Sequence, residues 1–150
     1  MVFGRRARQA LELRRSGKSK AEVEKETGST IGVYDAHFEV QPGEIFVVIG
    51  LSGSGKSTLL RVINRLIEPT EGEVYLDKDH ISQMPSKQLR QVRRRKIGMV
   101  FQHFGLLPNR TVLDNVSFGL EIQGVSANSA GRARRRPSTW SASRVRATSS

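Results

Sequence analysis

The sequence has 150 residues, a length that suits one compact domain. It contains no cysteine and no apolar run near the roughly 18 residues of a membrane span, which argues against disulfides and a transmembrane helix. Its formal net charge of +11 raises the possibility of a nucleic-acid partner, so the position of that charge along the chain matters.

Two helices are predicted at the N-terminal end. Helical patterns cover residues 5–16 and 20–27. The second begins with a capping-box arrangement of Ser19 and Glu22 and ends at Gly28, a residue that tolerates the left-handed conformation of a helix terminus.

Two strands are predicted next. Residues 33–40, VYDAHFEV, alternate apolar and polar side chains, as a strand with one buried face does. After the turn QPGE, residues 45–49 read IFVVI, an unbroken apolar run that predicts a strand covered on both faces.

A glycine-rich loop follows this second strand. Four residues separate Gly50 from the triplet Gly55, Lys56 and Ser57, which is the spacing of phosphate-binding loops. Glycines allow positive φ angles, so that successive backbone N–H groups can point at phosphate oxygens. We expect Lys56 to reach the β- and γ-phosphates and Ser57 to offer its hydroxyl to Mg²⁺. The loop comprises Gly50, Leu51, Ser52, Gly53, Ser54, Gly55, Lys56, Ser57 and Thr58.

Further elements are predicted after the loop. One apolar face predicts a helix that stops near Pro69. A strand over 73–77, a basic helix over 86–95 and a buried strand over 97–102 follow. The face of the first helix consists of Leu59, Val62, Ile63, Leu66 and Ile67, and Thr111 and Asp114 can cap a final helix.

The composition changes sharply at residue 126. All 14 acidic residues lie at or before Glu121, and the last 29 residues carry a charge of +6. Residues 126–150 are mainly Ser, Ala and Arg without periodicity, so we expect a disordered basic tail. The abrupt loss of acidic residues also leads us to expect that this tail is an out-of-frame translation.

Two longer stretches carry a resemblance to a known family. GLSGSGKSTLLRVINRLIEPTEGEVYLD and RRRKIGMVFQHFGLLPNRTVLDNVSFGLE resemble the N-terminal half of ABC transporter ATPase subunits, most closely those of glycine betaine/proline (quaternary amine) importers. The resemblance implies an α/β P-loop NTPase fold of which this chain holds a truncated, N-terminal part. It assigns residues 1–125 to the nucleotide-binding domain, with a helical insertion at about 5–28.

The resemblance also implies roles for particular residues. Residues 50–58 match the Walker A loop, and Gln102 matches the Q-loop glutamine, which contacts Mg²⁺ and the attacking water and is counted here as catalytic. Phe3 matches the aromatic that stacks on adenine, with Tyr34 as the alternative. The implied cofactors are therefore ATP and Mg²⁺.

Partners and location follow from the same resemblance. It implies a second ATPase subunit and a transmembrane permease as partners, and a cytoplasmic position on the inner face of the membrane. After Gln102, however, the sequence has no LSGGQ-like signature, no apolar strand ending in Asp-Glu and no histidine beyond His103. We therefore expect no ATP hydrolysis by this chain alone, because phosphoryl transfer needs groups on both sides of the metal.

Two other classes of function are considered. A nucleotide kinase or GTPase would share the loop but needs a lid or a base-specificity motif, and neither is recognisable. A nucleic-acid-binding module could use residues 93–96 and 132–136, but stacking on aromatic residues usually accompanies such charge and only Trp140 is available in the tail. No nucleic-acid partner is expected.

Overall fold

The computed structural model describes residues 1–100, 105–125 and 144–148. Two compact units are present, one comprising Met1–Met84 with Ala142–Ser150 and the other Pro85–Ser141. Helices and sheets are mixed, in agreement with the predicted α/β class. Within the described ranges, no helix is both long enough and apolar enough to cross a membrane.

The first unit begins with a helical pair held on a small sheet. Helix α1 spans Ala7–Arg15 and α2 spans Lys20–Thr27. Strands β1, Val2–Phe3, and β2, Thr30–Ile31, pair antiparallel beside them. The predicted capping box of Ser19 and Glu22 is confirmed, and α2 ends at Gly28 with φ 65°. The buried core of this region consists of Val2, Ala10, Leu11, Val23 and Ile31.

A second, four-stranded sheet completes this unit. Its strands are β3, Phe38–Val40, β4, Glu73–Leu76, β5, Asp79–His80, and β6, Val145–Thr148. They lie in the order β3-β6-β4-β5, and every neighbouring pair is antiparallel. A short 3₁₀ helix, Ile81–Gln83, follows β5.

The helix after the glycine loop is shorter than the apolar pattern predicts. Helix α3 spans Lys56–Ile63, because Arg65 adopts a left-handed conformation with φ 50°. The Arg65 guanidinium is held there by Glu68, at 2.9 Å, and by the carbonyl oxygens of Ile81, at 3.1 Å, and Met84. A side chain satisfied by three partners therefore fixes where α3 ends.

Two strand predictions are wrong: one strand is shorter than predicted, and the other does not form. Of residues 33–40 only Phe38–Val40 form a strand. Residues 45–49 form none, and Ile45 and Ile49 are 90% and 89% exposed. A strand covered on both faces needs neighbouring strands, and in the part of the chain that is described none lies beside this segment.

The second unit contains two helices in its described parts, 85–100 and 105–125. Helix α4 spans Ser86–Lys96 and α5 spans Val112–Ile122. The predicted cap of α5 is confirmed, since Thr111 and Asp114 form a capping box. The predicted strand over 97–102 is wrong for residues 97–100, while residues 101 and 102 lie outside the described residues.

The tail differs from its prediction where it is described. Residues 126–143 and 149–150 lie outside the described residues, but Val145–Thr148 form β6 between β3 and β4. Disorder is therefore the wrong prediction for these four residues. Valine and alanine alternate there with arginine and threonine, a strand pattern too short to stand out within a basic tail. An out-of-frame origin of residues 126–150 stays a prediction.

Candidate functional site

The glycine loop continues without interruption into the first turn of α3. Gly53 and Gly55 have φ angles of 77° and 96°, in the left-handed region that glycine adopts readily. The Ser54 N–H donates to the Leu51 carbonyl at 3.2 Å, and the Leu59 N–H donates to the Gly55 carbonyl at 2.8 Å. The loop thus leads directly into a helix N-terminus, where N–H groups favour anions.

Lys56 is held by the loop itself. Its Nζ donates to the carbonyl oxygens of Gly50 and Leu51, each at 2.6 Å, and lies 3.4 Å from Ser54 Oγ. The ammonium is therefore held against the carbonyl oxygens at the start of the loop. An incoming phosphate would offer charged oxygens in place of these two neutral carbonyls.

A side chain would not fit at Gly55, whereas at Gly50 it would require the Ser54 hydroxyl to move. A Cβ atom on Gly50 would lie 2.7 Å from Ser54 Oγ. One on Gly55 would lie 2.1 Å from the carbonyl oxygen of Gly32. The loop is thus packed against the segment that follows β2, and the absence of side chains permits this approach.

Gly32 was not singled out in the sequence, yet it joins the loop to a predicted site residue. A Cβ atom there would lie 2.8 Å from the Phe3 ring and 3.2 Å from the Thr58 methyl group. Its N–H donates to the Met1 carbonyl at 3.1 Å. A glycine among β-branched residues in a strand pattern was the available signal, because it often marks close backbone approach.

The structure separates the two aromatic candidates. Phe3 is 41% exposed and lies beside Gly32, next to the first turn of α3. Tyr34 instead packs against the core of the helical pair, with the Arg14 guanidinium 5.1 Å from its ring centroid. Phe3 is therefore near the loop with an open ring surface, whereas Tyr34 already has an intramolecular partner.

The predicted metal-binding residues are only partly described. Ser57 lies exposed in the first turn of α3, and its hydroxyl is the hard oxygen ligand that Mg²⁺ accepts. Gln102 lies outside the described residues. Among those that are described, no group of three or more His, Asp or Glu side chains could hold a metal ion. A cation here would depend on the bound phosphates for most of its ligands.

Comparisons of the sequence with a family model and with individual proteins identify the same family. The model of the ABC transporter family matches residues 33–149. The glycine betaine transport ATP-binding protein OpuAA of Bacillus subtilis (strain 168) is 58% identical over 124 residues, which cover 83% of this chain and 30% of OpuAA.

Two further relatives agree with this match. The glycine betaine/proline betaine transport system ATP-binding protein ProV of Escherichia coli (strain K12) is 49% identical over 126 residues, 84% of this chain and 32% of ProV. The trimethylamine N-oxide transport system ATP-binding protein TmoW of Pelagibacter ubique (strain HTCC1062) is 46% identical over 124 residues, 83% of this chain and 36% of TmoW. The chain spans about a third of the length of these curated relatives. Because the family model matches residues 33–149, the chain belongs to the ABC transporter family.

Proposed function

We propose that this chain is part of the ATP-binding subunit of an importer for compatible solutes of the glycine betaine/proline type, and that it binds MgATP through residues 50–58. The observation that carries the proposal is the glycine loop, which leads into the N-terminus of α3 and holds the Lys56 ammonium against the carbonyl oxygens of Gly50 and Leu51. The solute class rests on the similarity to OpuAA and ProV, a glycine betaine and a glycine betaine/proline betaine transport ATP-binding protein.

Binding exchanges the partners of Lys56. Its Nζ leaves the carbonyls of Gly50 and Leu51 and donates to the β- and γ-phosphate oxygens. The ammonium donates in both states, but the phosphate oxygens carry negative charge whereas the carbonyl oxygens are neutral, so Coulomb attraction favours the bound state. Backbone N–H groups of the loop and the helix N-terminus add further positive potential.

The loop also fits Mg²⁺ as a cofactor. Ser57 would hold the ion together with the phosphate oxygens, since hydroxyl and phosphate oxygens are ligands that Mg²⁺ prefers. When bound, the ion neutralises charge on the β- and γ-phosphates. Gln102, by the resemblance, supplies a further contact to the ion and to the attacking water.

Phe3 is proposed to stack on the adenine ring. Its exposure and its place beside Gly32 support this role, because a base needs an open aromatic face. In the complete transporter the subunit is proposed to act with a second ATPase subunit and a transmembrane permease, peripheral on the inner face of the membrane.

A nucleotide titration tests the proposal. Calorimetry with MgATP is expected to detect binding by the wild-type chain and none by Lys56→Ala, since a methyl group cannot donate to the phosphates. Lys78→Ala is the matched control, because Lys78 is an exposed lysine of the same unit in the turn between β4 and β5. Equal affinities of the wild type and Lys56→Ala would refute the proposal.

A further inference from the structure

One of the two inner strands of the four-stranded sheet, β6, comes from the distant C-terminal region. Strand β6 pairs with β3 on one side and with β4 on the other. In the described part of the chain no hydrogen-bonded ladder joins β3 directly to β4. The gap between β3 and β4, which we call the strand slot, is therefore closed by Val145–Thr148.

The position of β6 in the slot is fixed by polar contacts. At its start, the Arg144 N–H donates to Asp77 Oδ1 at 2.8 Å, and the Asp77 N–H donates back to the Arg144 carbonyl at 2.7 Å. The side chains of Arg144 and Arg146 each approach Glu39, at 3.5 and 3.6 Å. The slot thus selects a basic strand in one register.

The other face of β6 is apolar and close-packed. Ala147 is 7% exposed and lies opposite both Phe38 and Val74. Directly opposed residues in antiparallel strands share a face, so their side chains meet there. A small apolar residue at this position and arginines on the alternate face are the features that fit the slot.

The slot is connected to both ends of the phosphate-binding loop. Phe38 stacks on Phe46, with ring centroids 4.9 Å apart, and Phe46 precedes Gly50 by four residues. Ala147 and Thr148 also line one small cavity together with Leu59 and Val62 of α3. Strand β6 therefore supports the segment that enters the loop and the helix that leaves it.

We propose that the strand slot is a binding site for an extended basic segment, that Val145–Thr148 is its ligand, and that filling the slot increases the affinity of residues 50–58 for MgATP. The recognition is strand addition, in which backbone ladders give affinity and alternate side chains give specificity. The proposal rests on the proposed function for its coupling to nucleotide. Because coupling is reciprocal, MgATP should in turn stabilise β6 in the slot.

The first test places a carboxylate in the slot. Ala147→Glu buries a charge between Phe38 and Val74 and should displace β6. We expect faster amide hydrogen exchange in β3 and β4 and a loss of about 5- to 100-fold in MgATP affinity, the usual range of coupling between sites. Lys25→Gln, at an exposed position of α2 that takes no part in the slot, should change neither quantity.

A peptide supplied in trans separates displacement from misfolding. The peptide ASRVRATSS, the sequence of residues 142–150, should restore slow exchange in β3 and β4 of the Ala147→Glu chain and restore its MgATP affinity. The same peptide with glutamate in place of its second alanine should restore neither. A chain that fails to fold would not respond to either peptide.

Four outcomes are informative. Unchanged exchange in β3 and β4 of Ala147→Glu would overturn the slot. Absence of rescue by the peptide would do the same when α1 and α2 of that chain keep their slow exchange, which shows that the chain is folded. Changed exchange with unchanged MgATP affinity would overturn the coupling alone. If the wild type binds no MgATP, the proposed function fails and the coupling with it, while hydrogen exchange still tests whether Val145–Thr148 fill the slot.

Discussion

At the scale of single residues, the loop glycines differ in what a side chain would meet. Gly53 and Gly55 both have positive φ angles, but no heavy atom lies within 4 Å of a Cβ built on Gly53. A Cβ on Gly55 would lie 2.1 Å from the Gly32 carbonyl oxygen. A side chain introduced at either position would strain the backbone, and at Gly55 it would in addition clash with the Gly32 carbonyl.

This difference gives the first prediction for the loop. Gly53→Ala should lower the free energy of unfolding by about 1–2 kcal/mol, the cost of a left-handed alanine. Gly55→Ala should cost about 1–3 kcal/mol more, because the loop must move away from Gly32. Urea denaturation measures both, and the same samples titrated with MgATP should show the larger loss of affinity for Gly55→Ala. Equal losses of stability would contradict the close approach to Gly32.

Phe3 provides a second prediction at this scale. Phe3→Ala should weaken MgATP binding by about 5- to 150-fold, since stacking on a base contributes roughly 1–3 kcal/mol. It should leave the affinity for magnesium triphosphate, which has no base, unchanged. Tyr34→Ala is the matched aromatic control and should lower the thermal midpoint instead, because Tyr34 packs with Arg14 and the helical core. Parallel losses for both ligands in Phe3→Ala would exclude stacking on adenine.

At the scale of elements, local signals proved more predictable than strand partners. The capping box of α2, its end at Gly28 and the cap of α5 could be predicted because each depends on residues three to nine positions apart. The strand over 45–49 could not be judged in this way. Its apolar run indicates that both faces of a strand would have to be buried. The elements that would bury them come from distant parts of the chain, which a local pattern does not identify.

The capping box of α2 predicts a pH dependence of stability. Hydrogen bonds from the Ser19 side chain and backbone lower the pKa of Glu22 below its ordinary value of 4.5. A carboxylate with a lowered pKa stabilises the folded state fully above its ordinary pKa, and this contribution is lost as the pH falls through the folded-state value. Glu22→Gln should therefore lower the thermal midpoint at pH 7 and have a progressively smaller effect as the pH falls below 4.5.

The control for this prediction is a second glutamate in the same helical pair. Glu12 is an exposed residue of α1, outside any capping box. Glu12→Gln should lower the thermal midpoint at pH 7 less than Glu22→Gln does. A Glu22→Gln effect of constant size between pH 7 and pH 3 would argue against the capping box.

At the scale of the whole molecule, the candidate site combines predictable and unpredictable parts. Residues 50–58 are contiguous, so their spacing alone identified them. Gly32 and Ala147 approach the loop or its flanks from other segments, and no local pattern states which segments will meet. The loop could therefore be predicted as the candidate site from the sequence, whereas its packing required the structure.

The final prediction concerns catalysis by the chain as a whole. Phosphoryl transfer requires a positioned water and charge stabilisation on both sides of the transferred group. By the family resemblance, these are supplied by a carboxylate on the second side of the metal, a catalytic glutamate, a signature motif and a switch histidine. The 150 residues contain no LSGGQ-like stretch, no apolar strand ending in Asp-Glu and no histidine after His103. In these 150 residues, the loop proposed to bind phosphates is therefore not accompanied by a recognisable counterpart of the groups to which the resemblance assigns water activation.

We therefore expect the 150-residue chain to bind MgATP without releasing phosphate above background. Each missing electrostatic partner typically costs about 10²- to 10³-fold in rate, so the loss of two or three leaves no measurable turnover. A phosphate-release assay at saturating MgATP measures this, with Lys56→Ala prepared in parallel to detect a contaminating ATPase. Turnover that is present in the wild type and absent in Lys56→Ala would show that other residues of this chain activate the water, and the proposed division between binding and hydrolysis would be wrong.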